Sequence, residues 1–160
     1  MGAKGLGMAF SIRVDKLIQA PISRVYKAFL DEQAVVQWMQ RKDFTCQPLH
    51  FDGREGGGYR IRFSSTTSDL SYVMIGEFDE LLLNERIRYT ERMDDPFWTA
   101  RVETVIQLKP SARGTDLSIV QSGIPDTVSQ EGVRLAWDEC LRQLACLVEQ
   151  LTESLHARTR

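Results

Sequence analysis

The chain contains few of the residues that catalytic and metal sites use most. It has 160 residues, of which two are histidines, His50 and His156, and three are cysteines. Cys46, Cys140 and Cys146 lack a Cys-x-x-Cys spacing, so we expect no structural metal site. Their odd number and the lack of a secretion signal favour reduced thiols and a cytoplasmic location. We expect both histidines to be solvated, and we predict no catalytic residue, metal or cofactor.

An excess of one charge and long apolar runs are also absent. The sequence has 20 basic and 22 acidic residues, which gives a net charge of −2. This near balance offers no electrostatic reason to expect a nucleic acid as partner. No apolar run approaches about 18 residues, so insertion into a membrane is not predicted. We expect a single domain over residues 8–156, a flexible leader at residues 1–7 and a flexible C-terminus at residues 157–160.

The last third of the chain carries the clearest pattern. Large apolar residues recur there every three or four positions, which places them on one stripe of a long helix. The stripe consists of Trp137, Leu141, Leu144, Val148, Leu151 and Leu155. Thr127, with Gln130 three residues later, predicts a capping box at the start of this helix. So long an apolar stripe needs a large opposing surface, which only a sheet can supply here.

Two short helices and a series of strands precede that helix. The alternation from Phe10 to Asp15 predicts a strand, Pro21 opens a short helix and Asp31 caps a second one. Six further strands are predicted at residues 44–51, 59–63, 72–78, 86–91, 98–108 and 115–121. Pro48 favours an edge position or a bulge in the first of these. This order predicts an α+β protein in which a curved antiparallel sheet closes over the long helix.

Several local motifs support the same architecture. They are Ala20 to Phe29, Trp38, Gly57-Gly58-Tyr59, Gly76-Glu77-Phe78, Asn84 to Ile87, Gly114 to Leu117 and, more loosely, Gly132 to Trp137. In this order they resemble the helix-grip superfamily of START and Bet v 1 domains, known as SRPBCC. Within it, the chain resembles the branch named for the activator of the heat-shock-protein-90 ATPase, over about residues 8–153.

The resemblance implies a helix-grip fold, with six to seven antiparallel strands wrapped around a C-terminal helix and two short helices after the first strand. It implies function less narrowly, because the superfamily includes lipid carriers, cyclases, hormone receptors and co-chaperone domains. Three functions therefore stay open. We favour the binding of a small hydrophobic molecule. The alternatives are a co-chaperone-like interaction module, with a chaperone or a second copy of the chain as partner, and a cyclase- or dehydratase-like enzyme.

A cavity between the sheet and the long helix is the predicted functional site. Aromatic residues and methionine suit the wall of such a cavity. Polar residues on otherwise apolar strand faces are a further sign, because a buried polar group needs a partner. The predicted ligand-binding residues are Trp38, Met39, Phe63, Met74, Phe78, Tyr89, Glu91, Trp98, Thr104, Ile106, Gln121, Trp137 and Leu141.

These residues also allow plainer interpretations. The aromatic residues can be ordinary core, and Glu91 can lie in solvent at a strand end. If buried, Glu91 would have a raised pKa and could act with Tyr89 as an acid or base. Gly53 to Gly58 is expected to be a hairpin loop rather than a phosphate site, because no Lys-Ser or Lys-Thr follows. A solvated sheet face with cross-strand charge pairs is predicted for Arg60, Arg62, Arg88, Arg101 and Glu103.

Overall fold

The computed structural model describes the backbone of residues 8–158 and the side chains of residues 8–149. Within residues 8–158, seven strands and three helices follow one another in the predicted order. They are β1 (Ala9–Ile18), α1 (Ile22–Ala28), α2 (Glu32–Trp38), β2 (Phe44–Phe51), β3 (Gly58–Ser65), β4 (Ser71–Leu82), β5 (Arg86–Met93), β6 (Val102–Ser111), β7 (Gly114–Pro125) and α3 (Gln130–Arg158). In this part of the chain no helix is long and apolar enough to cross a membrane.

All seven strands form one antiparallel sheet in the order β1-β7-β6-β5-β4-β3-β2. Strands β2 to β7 form a meander, and β1 pairs with β7 at the far edge. The register shifts between Phe10 and Ile12, between Pro48 and His50, and between Phe78 and Glu80. Such bulges bend a sheet and help it to curve around a helix. The predicted α+β helix-grip class is thereby confirmed.

Helix α3 contributes its predicted stripe to the core. Trp137, Leu141, Leu144 and Val148 are buried together with the inward residues of the strands. Leu151 and Leu155, the last two members of the predicted stripe, lie outside the residues whose side chains are described. Helix α3 also contacts α1, α2 and β1. Apolar burial of this kind is the main source of stability for an amphipathic helix.

The outward face of the sheet carries charges, as predicted. Arg88 lies 3.6 Å from Glu103 on the neighbouring strand, and Arg60 lies 2.8 Å from Asp94. Arg62 and Arg101 are exposed. Each surface pair of this type contributes at most about 1 kcal/mol, so these charges favour solubility more than stability.

Two predicted element boundaries need correction. The strand expected from Trp98 begins only at Val102, because the preceding residues bond within their own turn: the Trp98 amide donates to the Asp95 carbonyl at 3.0 Å. The cap of α3 is Ser129 rather than Thr127, since the Ser129 hydroxyl accepts the Gly132 amide at 3.0 Å.

Two other local predictions concern Pro48 and Asp31. Pro48 lies on an edge strand and beside a bulge, as expected, and His50 is exposed on the same strand. Asp31 occupies the N-cap position of α2, but its side chain makes no capping hydrogen bond.

The burial of α3 leads to a stability prediction. Leu144 is fully buried, whereas Leu135 on the same helix is 58% exposed. We expect Leu144→Ala to lower the free energy of unfolding by about 2–5 kcal/mol, because it leaves a void in a packed core. Leu135→Ala, the matched control, should change it by no more than about 0.5 kcal/mol. Urea titrations of both variants measure this, and equal losses would contradict the assigned orientation of the helix.

Candidate ligand cavity

A cavity of about 500 Å³ lies between the inner face of the sheet and the first turns of α3. Its wall is formed by the end of α2, by strands β3 to β7 and by α3. Two lining residues, Ser129 and Gly132, are exposed, so solvent reaches the cavity beside the N-terminus of α3. Cavities of about 300–1,000 Å³ are typical of small-molecule sites.

Most of the predicted ligand-binding residues line this cavity. They are Trp38, Met39, Phe63, Met74, Tyr89, Glu91, Trp98, Gln121 and Trp137. The chain has three tryptophans, and all three are among them. Side chains from four strands, two helices and one loop thus converge on one space.

The other four predicted residues do not line the cavity. Ile106 and Leu141 are buried in the close-packed core beside it. Phe78 is enclosed by other aromatic rings, with its centroid 5.9 Å from that of Tyr59. Thr104 lies one layer behind the wall, where it is fully buried. Each faces inward as expected, but neighbouring side chains cover it.

Stacked tryptophans form one side of the wall. The rings of Trp38 and Trp137 lie 6.5 Å apart between centroids, with an angle of 23° between their planes. The Trp38 indole nitrogen donates to the Ala28 carbonyl at 2.9 Å. Because that donor already has an acceptor, Trp38 can present its apolar ring to the cavity without an unsatisfied polar group.

A row of three residues across neighbouring strands sets the polar part of the wall. Tyr59 on β3 lies opposite Gly76 on β4, which in turn lies opposite Glu91 on β5. A Cβ atom on residue 76 would lie 2.1 Å from ring carbons Cε2 and Cζ of Tyr59. The absence of a side chain at Gly76 therefore lets the ring lie across β4, and its hydroxyl donates to the Glu91 carboxylate.

Glu91 is half-buried in the cavity wall rather than free in solvent. Burial raises the pKa of its carboxyl, while the Tyr59 hydrogen bond and the positive charge of Arg41 oppose that rise. Burial, together with the Glu91 charge, also raises the pKa of Tyr59 well above its usual range. Removal of water from a carboxylate disfavours its charged form, which explains the direction at Glu91.

The remaining polar groups largely satisfy one another. The Gln121 side-chain amide donates to the Thr104 hydroxyl at 2.9 Å, and Tyr89 lies opposite Thr104 on the neighbouring strand. Burial raises the pKa of Tyr89 above its usual range. Burial likewise raises the pKa of the Cys140 thiol to about 12, so Cys140 is protonated at neutral pH and is not poised as a nucleophile.

Arg41 is the most informative lining residue that sequence reasoning missed. It follows α2, and its Nη2 atom donates to the Tyr72 hydroxyl at 2.8 Å. Its neighbours Lys42 and Asp43 are also charged, so the pattern does not distinguish an inward residue from a solvated one. Further lining residues missed from the sequence are Met93, Val102, Ile124, Pro125, Val128, Ser129, Gly132, Val133, Ala136 and Cys140.

Signals for some of these were present. Met93 continues the alternation of Tyr89 and Glu91 along one strand face, and Cys140 lies three residues after Trp137 on the helical stripe. Both could have been found by extending the two periodicities by one step.

A larger depression of about 770 Å³ lies elsewhere, against β1, β6 and β7. Its wall includes Arg13, Asp15, Lys16, Lys109 and Asp116. The side chains of Arg13 and Asp15 are mostly exposed and pair with each other at 3.2 Å. Five charged side chains in this wall make the groove unsuited to a small hydrophobic molecule, which favours a mainly apolar wall.

A curved antiparallel sheet closed over a long C-terminal helix defines a helix-grip domain. Residues 19–149 match the family described as "Activator of Hsp90 ATPase homolog 1-like protein", and the chain belongs to this family. No curated protein matched the chain.

Solved structures with the same fold include proteins from several bacteria. A crystal structure of a protein from Chromobacterium violaceum is 43% identical, with a TM-score of 0.83, and covers 87% of this chain and 96% of its own. A putative uncharacterized protein from Rhizobium leguminosarum is 22% identical, with a TM-score of 0.73, and covers 90% and 97%. An AHSA1-like protein from Aeromonas hydrophila is 17% identical, with a TM-score of 0.71, and covers 89% and 94%. The last two show the fold alone.

The close approach of Tyr59 to Gly76 predicts strong coupling between these two positions. Gly76→Ala should lower the free energy of unfolding by about 1–3 kcal/mol, because the new methyl group overlaps the tyrosine ring. Tyr59→Ala removes that ring. In a Tyr59→Ala background, Gly76→Ala should therefore lower the free energy of unfolding much less than it does in the parent protein. A double-mutant cycle in urea measures the coupling, and strictly additive losses would contradict the assigned contact.

The raised pKa of Glu91 predicts a pH-dependent stability. Because this carboxyl holds its proton more tightly in the folded protein, its contribution to stability is present at low pH. That contribution is lost as the pH rises from about 4.3, the usual value for an unfolded glutamate, through the folded pKa. In the Glu91→Gln variant this position cannot ionise, so the variant should not lose stability in this way as the pH rises. The free energy of unfolding of the parent protein, minus that of the variant, should therefore fall with rising pH.

Glu77→Gln, on the exposed side of β4, is the control for loss of one carboxyl. Urea titrations at several pH values supply the comparison. The free energy of unfolding of the parent protein minus that of Glu91→Gln should fall as the pH rises. A value that stays constant or grows with pH would contradict the raised pKa of Glu91.

Proposed function

We propose that the protein binds a small hydrophobic molecule in the cavity between the sheet and α3. The observation that carries this proposal is a mainly apolar cavity of about 500 Å³ that lies beside the packed core and opens to solvent. A space of this size, with three tryptophans in its wall, is better suited to a ligand than to packing alone.

Small residues in the first turns of α3 support the same proposal. Val133 and Ala136 border the cavity and are only partly buried, and neither is large enough to fill it. An apolar ligand would restore the dispersion contacts that these side chains leave unmade. The chain thus keeps space at the position where Leu or Phe would close the core.

The family description supports a second candidate, an interaction module related to an ATPase activator. That function would need a contiguous exposed apolar patch. Leu83 and Phe97 are strongly exposed, but they lie beyond opposite ends of β5. The eight residues of β5 span roughly 27 Å at about 3.4 Å per residue, so these two side chains do not form one patch. The apolar cavity between the sheet and α3 is therefore the better supported site.

An apolar probe can test the proposal. N-phenyl-1-naphthylamine is neutral and fluoresces more strongly in apolar surroundings. We expect it to bind the parent protein with saturation, and we expect Ala136→Phe to weaken binding by about tenfold or more, which is ~1.4 kcal/mol. The added phenyl ring would occupy part of the space that the probe needs.

Leu135→Phe is the matched control, because it adds a phenyl ring at the next position but on the exposed side of the same helix. It should leave the probe affinity unchanged. Absence of saturable binding to the parent protein, or equal effects of the two variants, would contradict a ligand site at this place.

A further inference from the structure

We propose that the natural ligand is a small apolar acid whose carboxylate pairs with Arg41 while its hydrocarbon part fills the cavity. This inference rests on the proposed function and adds the chemical class of the ligand.

Arg41 is held in place by neutral partners. Its guanidinium donates to the Tyr72 hydroxyl at 2.8 Å and lies 5.1 Å from the centroid of the Phe44 ring. Both contacts position the group without neutralising it. Within residues 8–149, Arg41 makes no ion pair.

A guanidinium in that position has unused binding capacity. It carries five N–H donors in a planar fork, and a carboxylate matches two of them at once. An unpaired charge beside an apolar cavity is unfavourable, so an anion from the ligand would provide the missing partner.

Glu91, the other charged residue of the wall, is already engaged. Its carboxylate accepts the hydroxyl of Tyr59, which is fixed by the close packing over Gly76. The charge of Arg41 opposes the rise in pKa that burial causes at Glu91, Tyr72 and Cys140. Its positive potential therefore acts on several parts of the cavity wall, and a ligand head group would experience it.

The rest of the wall suits a hydrocarbon. Trp38, Met74, Trp98 and Trp137 offer apolar or polarisable surface, and the polar groups of Gln121 and Thr104 are paired with each other. A ligand with one anionic end and an apolar body would satisfy both parts of the cavity. A purely apolar ligand would leave Arg41 unpaired.

Three probes with the same ten-carbon chain separate the contribution of the head group: decanoate, 1-decanol and decylammonium. Each is titrated into the protein below its micelle concentration and followed by calorimetry and tryptophan fluorescence. We expect decanoate to bind about tenfold more tightly than 1-decanol, and decylammonium to bind most weakly. Arg41→Met should abolish the roughly tenfold preference for decanoate over 1-decanol.

Two further variants refine this test. Arg62→Met removes an arginine from the exposed side of β3 and should preserve the preference for decanoate. Arg41→Lys keeps the charge but loses the planar fork, so it should retain only part of that preference. A far-UV circular dichroism spectrum and a urea unfolding transition like those of the parent protein would show that Arg41→Met is folded.

The possible failures are distinguishable. Equal affinities for all three probes, or a decanoate preference that survives Arg41→Met, would overturn the assignment of Arg41 while leaving the apolar site intact. Tighter binding of decylammonium would place the head group at Glu91 and overturn the inference. No binding of any probe would remove the proposed function together with the inference.

Discussion

The structure depends on a difference in packing between two parts of α3. Toward its middle, Leu144 and Val148 are fully buried and hold the helix to the rest of the core. Nearer its N-terminus, the helix borders the cavity of about 500 Å³ with Val133 and Ala136, which are only partly buried. Packing of the larger residues fixes the distance between helix and sheet, so the smaller residues cannot move inward to close the gap.

The strand register explains why two of the motifs, one with Tyr59 and one with Gly76, occur together. Tyr59 belongs to one motif and Gly76 to the next, and the strand register places them side by side. The glycine is required there because the tyrosine ring occupies the space of its missing side chain. That arrangement brings the tyrosine hydroxyl to Glu91 and places a hydrogen-bonded carboxyl in the cavity wall. Arg41 adds a positive charge to the same wall, so a mostly apolar cavity also carries two opposite charges.

Periodicity predicted the elements of the fold, because strands and helices that bury one face repeat every two or about 3.6 residues. It could not predict which inward residues border the cavity and which are covered. Thr104 and Gln121 both read as polar residues on apolar faces, but only the register shows that they lie opposite each other and pair. Arg41 lies in the connection after α2, where no helical or strand periodicity applies. Its side-chain orientation is set by tertiary contacts with Tyr72 and Phe44.

An accessible apolar space is bordered by Trp38, Trp98 and Trp137. Their three indole N–H groups give three side-chain signals in a ¹⁵N–¹H correlation spectrum of the protein. We predict that a small neutral hydrocarbon, such as benzene, shifts all three signals with saturation and leaves the amide of the exposed Arg62 unchanged. Unmoved indole signals at saturating benzene, or shifts confined to surface residues such as Phe97, would contradict it.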